Sequence, residues 1–226
     1  PTTIGLQENG HVPVDHFDYI ENWYNSVVNN GLSGYIFYDE LTDEFVKKYT
    51  TDNISFIKIA DSPYSNNDSR FFYYYDFLQM QAITDCVYLT DACDVTVVSN
   101  PDPFISENPE LYFCQNGNTL DKYYFKNYSY SYLHNKFGWN PHDLPLNQYE
   151  TLNMGVIGGE YDKILKLLSI FVAERMLACS PELNINMALG NYIARTFFDD
   201  IAYGPPFCSE FKKFEHNRKD VYFIHK

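Results

Sequence analysis

The first hundred residues alternate between short apolar runs and longer amphipathic ones, and this alternation constrains the fold more than any other feature. Residues 2–6 read as a strand. Residues 16–29 read as a helix, with Phe17, Ile20, Trp23, Tyr24 and Val27 at helical spacing, Asp15 as its cap and Asn30-Gly31 as its end. Residues 35–38 form a second strand ending at Asp39, and Thr42 caps a short helix through Tyr49. A third strand spans 54–59, a loop 62–69 and an aromatic helix 70–84. Residues 86–89 form a short apolar run with a β-branched and an aromatic residue, as in a strand buried on both faces. Repetition of this kind predicts an α/β sheet with parallel crossovers. Ligands of such sheets bind beyond the carboxyl ends of the strands. Gln7, Asp39 and Asp91 fall at such ends.

Asp91 and Asp94 follow the fourth strand with Ala92 and Cys93 between them. On a continuing strand they would point to opposite faces, so they converge only if the chain turns there. Converging carboxylates repel each other unless a cation sits between them. A hard divalent ion takes oxygen ligands and bridges carboxylates to a substrate phosphate. The plainer alternative is an acidic strand-to-loop junction with two solvated aspartates.

The second half has a different texture. Residues 101–109 read as loop, 111–115 as a strand and 116–118 as a turn. Residues 121–139 mix Tyr, Phe, Asn and Lys without a readable period. Residues 151–159, Thr-Leu-Asn-Met-Gly-Val-Ile-Gly-Gly, read as a strand whose backbone something approaches closely. Residues 160–178 give the clearest helix, with Ile164, Leu167, Leu168, Phe171 and Val172 on one face. A further helix is expected over 181–195, and a last apolar run at 221–224 precedes His225 and Lys226.

Composition removes several function classes. The net charge of −14 argues against nucleic acid or an anionic membrane as main partner, since both require clustered Lys and Arg. The 21 Tyr and 18 Phe exceed what packing needs, so many rings are expected to line a groove or to sit half-buried. Five cysteines at irregular spacing with no CxxC pair make zinc improbable. Cys86 and Cys179 read as reduced core residues of a cytosolic compartment. No run reaches transmembrane length and no signal peptide opens the sequence, so a cytoplasmic location is expected. The chain reads as one domain over 1–226, since no break in composition marks a second. It is also of a size to be one domain of something longer.

Taken in order, the motifs carry a resemblance. Thr-Asp-Ala-Cys-Asp-Val closes the α/β half, and Leu-Asn-Met-Gly-Val-Ile-Gly-Gly lies mid-chain. Asn-Ile-Asn-Met-Ala opens a helix, and Phe-Ile-His-Lys ends the chain. The sequence resembles metal-dependent, nucleotide-sugar-using glycosyltransferases of the type A fold. It is most similar to the glycosyltransferase domains of collagen-modifying enzymes and to small glycosyltransferases of large algal viruses. The resemblance implies a mixed central sheet flanked by helices, a Rossmann-like α/β fold, with a nucleotide-binding half of about 1–100 and a donor-sugar and acceptor half of about 101–226. It implies a UDP-sugar donor, Mn2+ or Mg2+, and a glycan or glycoprotein acceptor. By resemblance Asp91, Asp94 and His225 hold the metal, and Lys226 contacts the diphosphate. Asn153, Gly155 and Gly158 shape the sugar pocket, and Arg70 lies near the donor. Uracil would sit against Gln7, Tyr38 and Asp39, with Tyr38 stacking and Asp39 accepting a hydrogen bond. Asn186 stands where many relatives carry an aspartate, so it is not expected to act as a base. If the reaction inverts, a base must come from elsewhere, and Glu160, Asp199 and Asp200 are carboxylates to consider.

Two other readings compete. A nucleotidyltransferase would make the activated sugar, but it needs a Gly-rich basic loop near the N-terminus, and residues 7–12 hold one glycine and no Lys or Arg. A non-catalytic carbohydrate-binding domain would use the tyrosines as a sugar platform.

Overall fold

The computed structural model describes residues 6–7, 10–11, 15–81, 85–120, 122, 135, 138, 149–178, 180–213 and 215–226, with side chains from residue 15 onward. Ten strands and six α-helices are present among these residues. Short strands β1 (Leu6–Gln7) and β2 (Gly10–His11) form a two-stranded ladder. The strand expected over 2–6 lies outside the described residues apart from Leu6. A 3-10 turn at Phe17–Tyr19 precedes α1 (Glu21–Asn29). The helix read from residue 16 is thus interrupted at Ile20, and Asp15 does not cap it. Asp15 instead accepts from the backbone N–H and hydroxyl of Thr42, bracing the start of α2 (Asp43–Tyr49).

Strands β3 (Gly34–Tyr38) and β4 (Ile54–Lys58) pair in parallel, as the alternation predicts. Helix α3 (Asn66–Gln79) begins four residues earlier than read, because the Ser65 side chain accepts from Asp68 N–H and caps it. Strand β5 (Cys86–Thr90) then departs from a purely parallel plan. It pairs antiparallel with a long strand from the second half. After β6 (Val95–Val97) and α4 (Asp102–Glu107) come β7 (Leu111–Thr119) and β8 (Glu150–Glu160). The chain continues with α5 (Tyr161–Leu177), α6 (Asn186–Phe197), β9 (Ile201–Tyr203) and β10 (Phe223–His225). The main sheet runs β5-β8-β7-β9, with only the last pair parallel. Strand β7 passes straight through the expected turn at 116–118. A register shift and a positive φ at Gly117 absorb the irregularity.

Two apolar clusters flank this sheet. One joins α3, α5 and α6 to Leu152, Met154 and Ile157 of β8. The other gathers α1, β3, β6 and β10 around Val156. The α3–α5 seam centres on Phe71 and Phe171, stacked at 4.0 Å between ring centroids and each 1% exposed. Truncating such a ring loses its transfer free energy and leaves a cavity. Phe171→Ala is therefore expected to lower stability by about 3–5 kcal/mol in urea unfolding. A loss under about 1 kcal/mol would mean that the seam closes over the gap.

The structure adjusts one expectation about the cysteines. Cys86 and Cys93 are free, and Cys179 lies outside the described residues. Cys114 and Cys208, however, are joined in a disulfide, Cα–Cα 5.3 Å. That bridge removes the cysteine argument for a reducing compartment. Among the described residues no helix is long and apolar enough to cross a membrane.

Candidate active site

Strand β5 ends at Thr90, and the chain bends through residues 91–94 before entering β6. The bend brings the Asp91 and Asp94 carboxylates to the same side. The register of β6 against β10 supplies the third group, because His225 sits opposite Val95. One backbone bond on each side locks the arrangement: Asp91 N–H donates to Gly155 O (2.8 Å), and Lys226 N–H donates to Asp94 O (2.9 Å). One donor atom each of Asp91, Asp94 and His225 lies within 4.8 Å of the others. His225 Nε2 is 3.6 Å from Asp94 Oδ2.

The residues fit a divalent cation. His225 is 2% exposed, and neither ring nitrogen has a hydrogen-bond partner. Asp94 Oδ1 is likewise buried without one. Burying such polar atoms unpaired costs free energy unless something else satisfies them. Two carboxylates and an imidazole are a donor set that suits Mn2+. Gly155 provides the space: a Cβ there would lie 2.3 Å from His225 Cε1 and 2.8 Å from Asp91 Oδ2. The Phe211 ring packs on the imidazole at 4.4 Å, and His225 N–H donates to Ser209 Oγ. Burial, then the charges of Asp94 and Asp91, push the Cys93 thiol up to about 12, which leaves it protonated beside the cluster.

The cluster opens into a cleft of about 390 Å3. Its lining includes Arg70, Asn153, Gly155 and Asn186 from the sequence-derived set. Asn67 and Phe211, which the sequence did not mark, also line it, as do Asn116, Asn184 and Met187, which it marked only in a turn and a helix-opening motif. Arg70 is buried, ion-pairs with Asp91 and donates from Nη2 to Met154 O at 2.9 Å. It thus grips Asp91 and the strand behind it at once. Asn153 Oδ1 accepts from Gly155 N–H, while its Nδ2 donates to Asn116 Oδ1 at 3.1 Å. Asn186, 4% exposed, donates to Asn184 Oδ1. The bulge that sets Met154, Gly155 and Val156 out of register with β7 points this part of β8 at the cluster.

Several expected site residues fall elsewhere. Gly158 is not at the cleft. A Cβ there would meet the rings of Phe207 (2.7 Å) and Tyr88 (2.8 Å), so this glycine serves the packing of β8. Tyr38 is buried with its ring edge-on to Phe56, which leaves little of it for stacking on a base. Asp39, at the same strand end, is partly exposed and accepts from Glu40 N–H. The Gln7 side chain lies outside the described residues. Glu160 pairs with Cys86 at the opposite end of β5 from Asp91. Asp200 O accepts from Leu111 N–H at that same far end, with Asp199 beside it. None of these three carboxylates lines the cleft, where Asp91 and Asp94 are the only carboxylates among the described residues.

No protein-family model and no curated protein sequence matches the chain. Solved structures match its fold. The galactosyltransferase LgtC, in complex with donor and acceptor sugar analogues, is 14% identical with a TM-score of 0.50. That match covers 94% of this chain and 84% of LgtC. A structure of LgtC carrying an active-site Gln-to-Glu mutation matches over the same shares at 14% identity and a TM-score of 0.51. The chain has the glycosyltransferase type A fold, with the mixed sheet and flanking helices that the sequence led us to expect.

Proposed function

We propose that the protein is a metal-dependent glycosyltransferase that moves a sugar from a UDP-sugar to a glycan or glycoprotein acceptor. The observation that carries this reading is the Asp91–Asp94–His225 cluster, whose buried nitrogens and carboxylate oxygen lack partners at the rim of an amide-lined cleft. LgtC, with the same fold, has been crystallised with donor and acceptor sugar analogues, which supports the class of substrate. A divalent cation bound there, Mn2+ or Mg2+, neutralises the charge that develops on a departing diphosphate. It also accounts for anion binding by a protein of net charge −14.

In this reading Asp91, Asp94 and His225 hold the cation. Lys226, fixed beside Asp94 through its backbone, reaches a phosphate as a point charge. Arg70 keeps Asp91 in place. Asn153 and Asn186 orient the sugar by hydrogen bonds, and Gly155 leaves room for it. Asn186 is an amide and takes up no proton near neutral pH, so it positions and does not act as base. The uridine base lies towards the end of β3, with Asp39 and Gln7 as its contacts.

Calorimetric titration tests the reading. UDP is expected to bind in the presence of Mn2+ and to lose at least about tenfold in affinity when EDTA removes the metal. GDP is expected to bind more weakly than UDP under the same conditions. Donor hydrolysis with a panel of UDP-sugars then identifies the sugar. Metal-independent UDP binding would overturn the metal assignment. Preference for UTP with a sugar phosphate would favour nucleotidyl transfer, and indifference to all nucleotides would favour a carbohydrate-binding domain.

A further inference from the structure

Behind the cleft, Asp68 of α3 and Arg175 of α5 form an ion pair, Nε to Oδ2 2.7 Å, with both side chains 0% exposed. Burying two charges is a poor route to stability, because an apolar pair of similar volume does as well or better. The hydrogen bonds of this pair converge on one segment. Asp68 accepts from Ile185 N–H (3.2 Å to each oxygen) and from Asn186 N–H (2.8 Å). Arg175 Nη2 is directed at the carbonyls of Ser180 (3.0 Å), Pro181 (3.2 Å) and Leu183 (2.9 Å). The Tyr64 ring covers the guanidinium at 4.5 Å.

Helix α6 starts at this segment, and its N-cap residue Ile185 offers no capping side chain. Asp68 supplies the cap from another helix, accepting N–H groups that a local Ser or Asp would otherwise serve. It also places negative charge at the positive end of α6. The capped residues are cleft residues, since Asn184, Ile185, Asn186 and Met187 all form its wall. Two residues along α3, Arg70 holds Asp91 and Met154 O on the metal side. The start of α3 therefore ties together the wall and the cation cluster.

We propose that the buried Asp68–Arg175 pair is a positioning device that fixes the 180–186 segment and aims Asn186 at the donor sugar. The inference rests on the reading of the cleft as the sugar site. Neither residue touches substrate in this scheme. Loss of the pair displaces Asn186 while leaving Asp91, Asp94 and His225 in place. Nucleotide–metal binding and sugar turnover should therefore separate.

Asp68→Asn keeps the shape and removes the charge, and Arg175→Lys keeps a charge and removes the planar fork. Three readouts are compared with wild type: Mn2+-dependent UDP affinity, kcat for UDP-sugar hydrolysis, and hydrogen exchange at the Ile185 and Asn186 amides. Both variants are expected to bind UDP with Mn2+ within about threefold of wild type, while kcat falls by about 100-fold, the scale of a 1 Å misplacement. The two amides should lose protection in Asp68→Asn, with α3 and α5 still protected. Wild-type kcat with displaced amides, or UDP affinity lost in step with kcat, would overturn the positioning role. Unchanged protection at both amides would overturn the anchoring itself. If wild type fails to bind UDP, the function proposed above falls, and the exchange experiment still decides whether Asp68 holds the segment. Should Asp68→Asn not fold, Arg175→Lys carries the same comparison.

Discussion

Alanine at position 155 is expected to disable the cation cluster while leaving the protein folded. An added Cβ at Gly155 would lie 2.3 Å from His225 Cε1, 2.8 Å from its Nε2 and 2.8 Å from Asp91 Oδ2. Such approaches lie well inside van der Waals contact, so the imidazole or the carboxylate must move. Neither has an easy path. Phe211 packs on the imidazole, Ser209 Oγ holds its backbone, and Arg70 holds Asp91. The relief is rotation of a ligand out of the cluster. Mn2+ affinity is expected to fall about 10- to 100-fold, the scale seen when the groups that orient a metal ligand are lost. Direct titration with Mn2+ measures this without any donor sugar. Thermal unfolding in the absence of metal should show a loss of about 1–3 kcal/mol, the cost of one overpacked contact, with the protein still folded. Wild-type Mn2+ affinity in Gly155→Ala would mean that the three residues do not share an ion.

The parts of this site that were legible in the sequence are those fixed by local rules. Asp91 and Asp94 announced themselves because two carboxylates after a strand must either turn together or face apart, although β5 itself is only half-buried apart from Leu89. The glycine-bearing run of β8 signalled close approach, and Gly155 proved to be where that approach happens. The fold class followed from the alternation of the first half, although β5 joins the sheet antiparallel to its partner β8. What stayed hidden depends on contacts distant in sequence. The helix read over 181–195 starts five residues later, at Asn186, and no local side chain caps it; the cap is Asp68, 118 positions from Asn186. Arg70 was placed near the donor, but nothing in its own helix reveals that it grips Asp91. Gly158 looked like Gly155 in the sequence, and only the rings of Phe207 and Tyr88 distinguish their roles. The Cys114–Cys208 bridge spans 94 residues and had no spacing signature.

The chain end gives the other large effect. Two polar residues at a chain end are ordinarily expected to be dispensable for stability. The structure changes that expectation. His225 is buried, forms the last rung of β10 against Val95, and donates its N–H to Ser209 Oγ. Lys226 adds a backbone bond to Asp94 O. Substitution and truncation should therefore diverge. His225→Ala keeps the backbone ladder and removes only the imidazole. It is expected to eliminate Mn2+-dependent UDP binding, at a stability cost of about 1–3 kcal/mol for the lost packing under Phe211. Removing residues 225–226 eliminates the same binding and also strips the ladder bonds that hold the Asp94 bend. It should unfold at a clearly lower temperature than His225→Ala. Lys226→Ala separates the third contribution. It keeps the backbone bond and the cluster, so Mn2+ alone should bind as in wild type while UDP binding with Mn2+ weakens about tenfold, the scale of one charge-assisted hydrogen bond. Calorimetry with Mn2+ alone and with UDP, beside thermal unfolding, resolves the three variants. Mn2+ affinity in His225→Ala equal to wild type would leave the two aspartates as the only protein ligands. Equal unfolding temperatures for substitution and truncation would mean that the last rung of β10 contributes nothing to the fold.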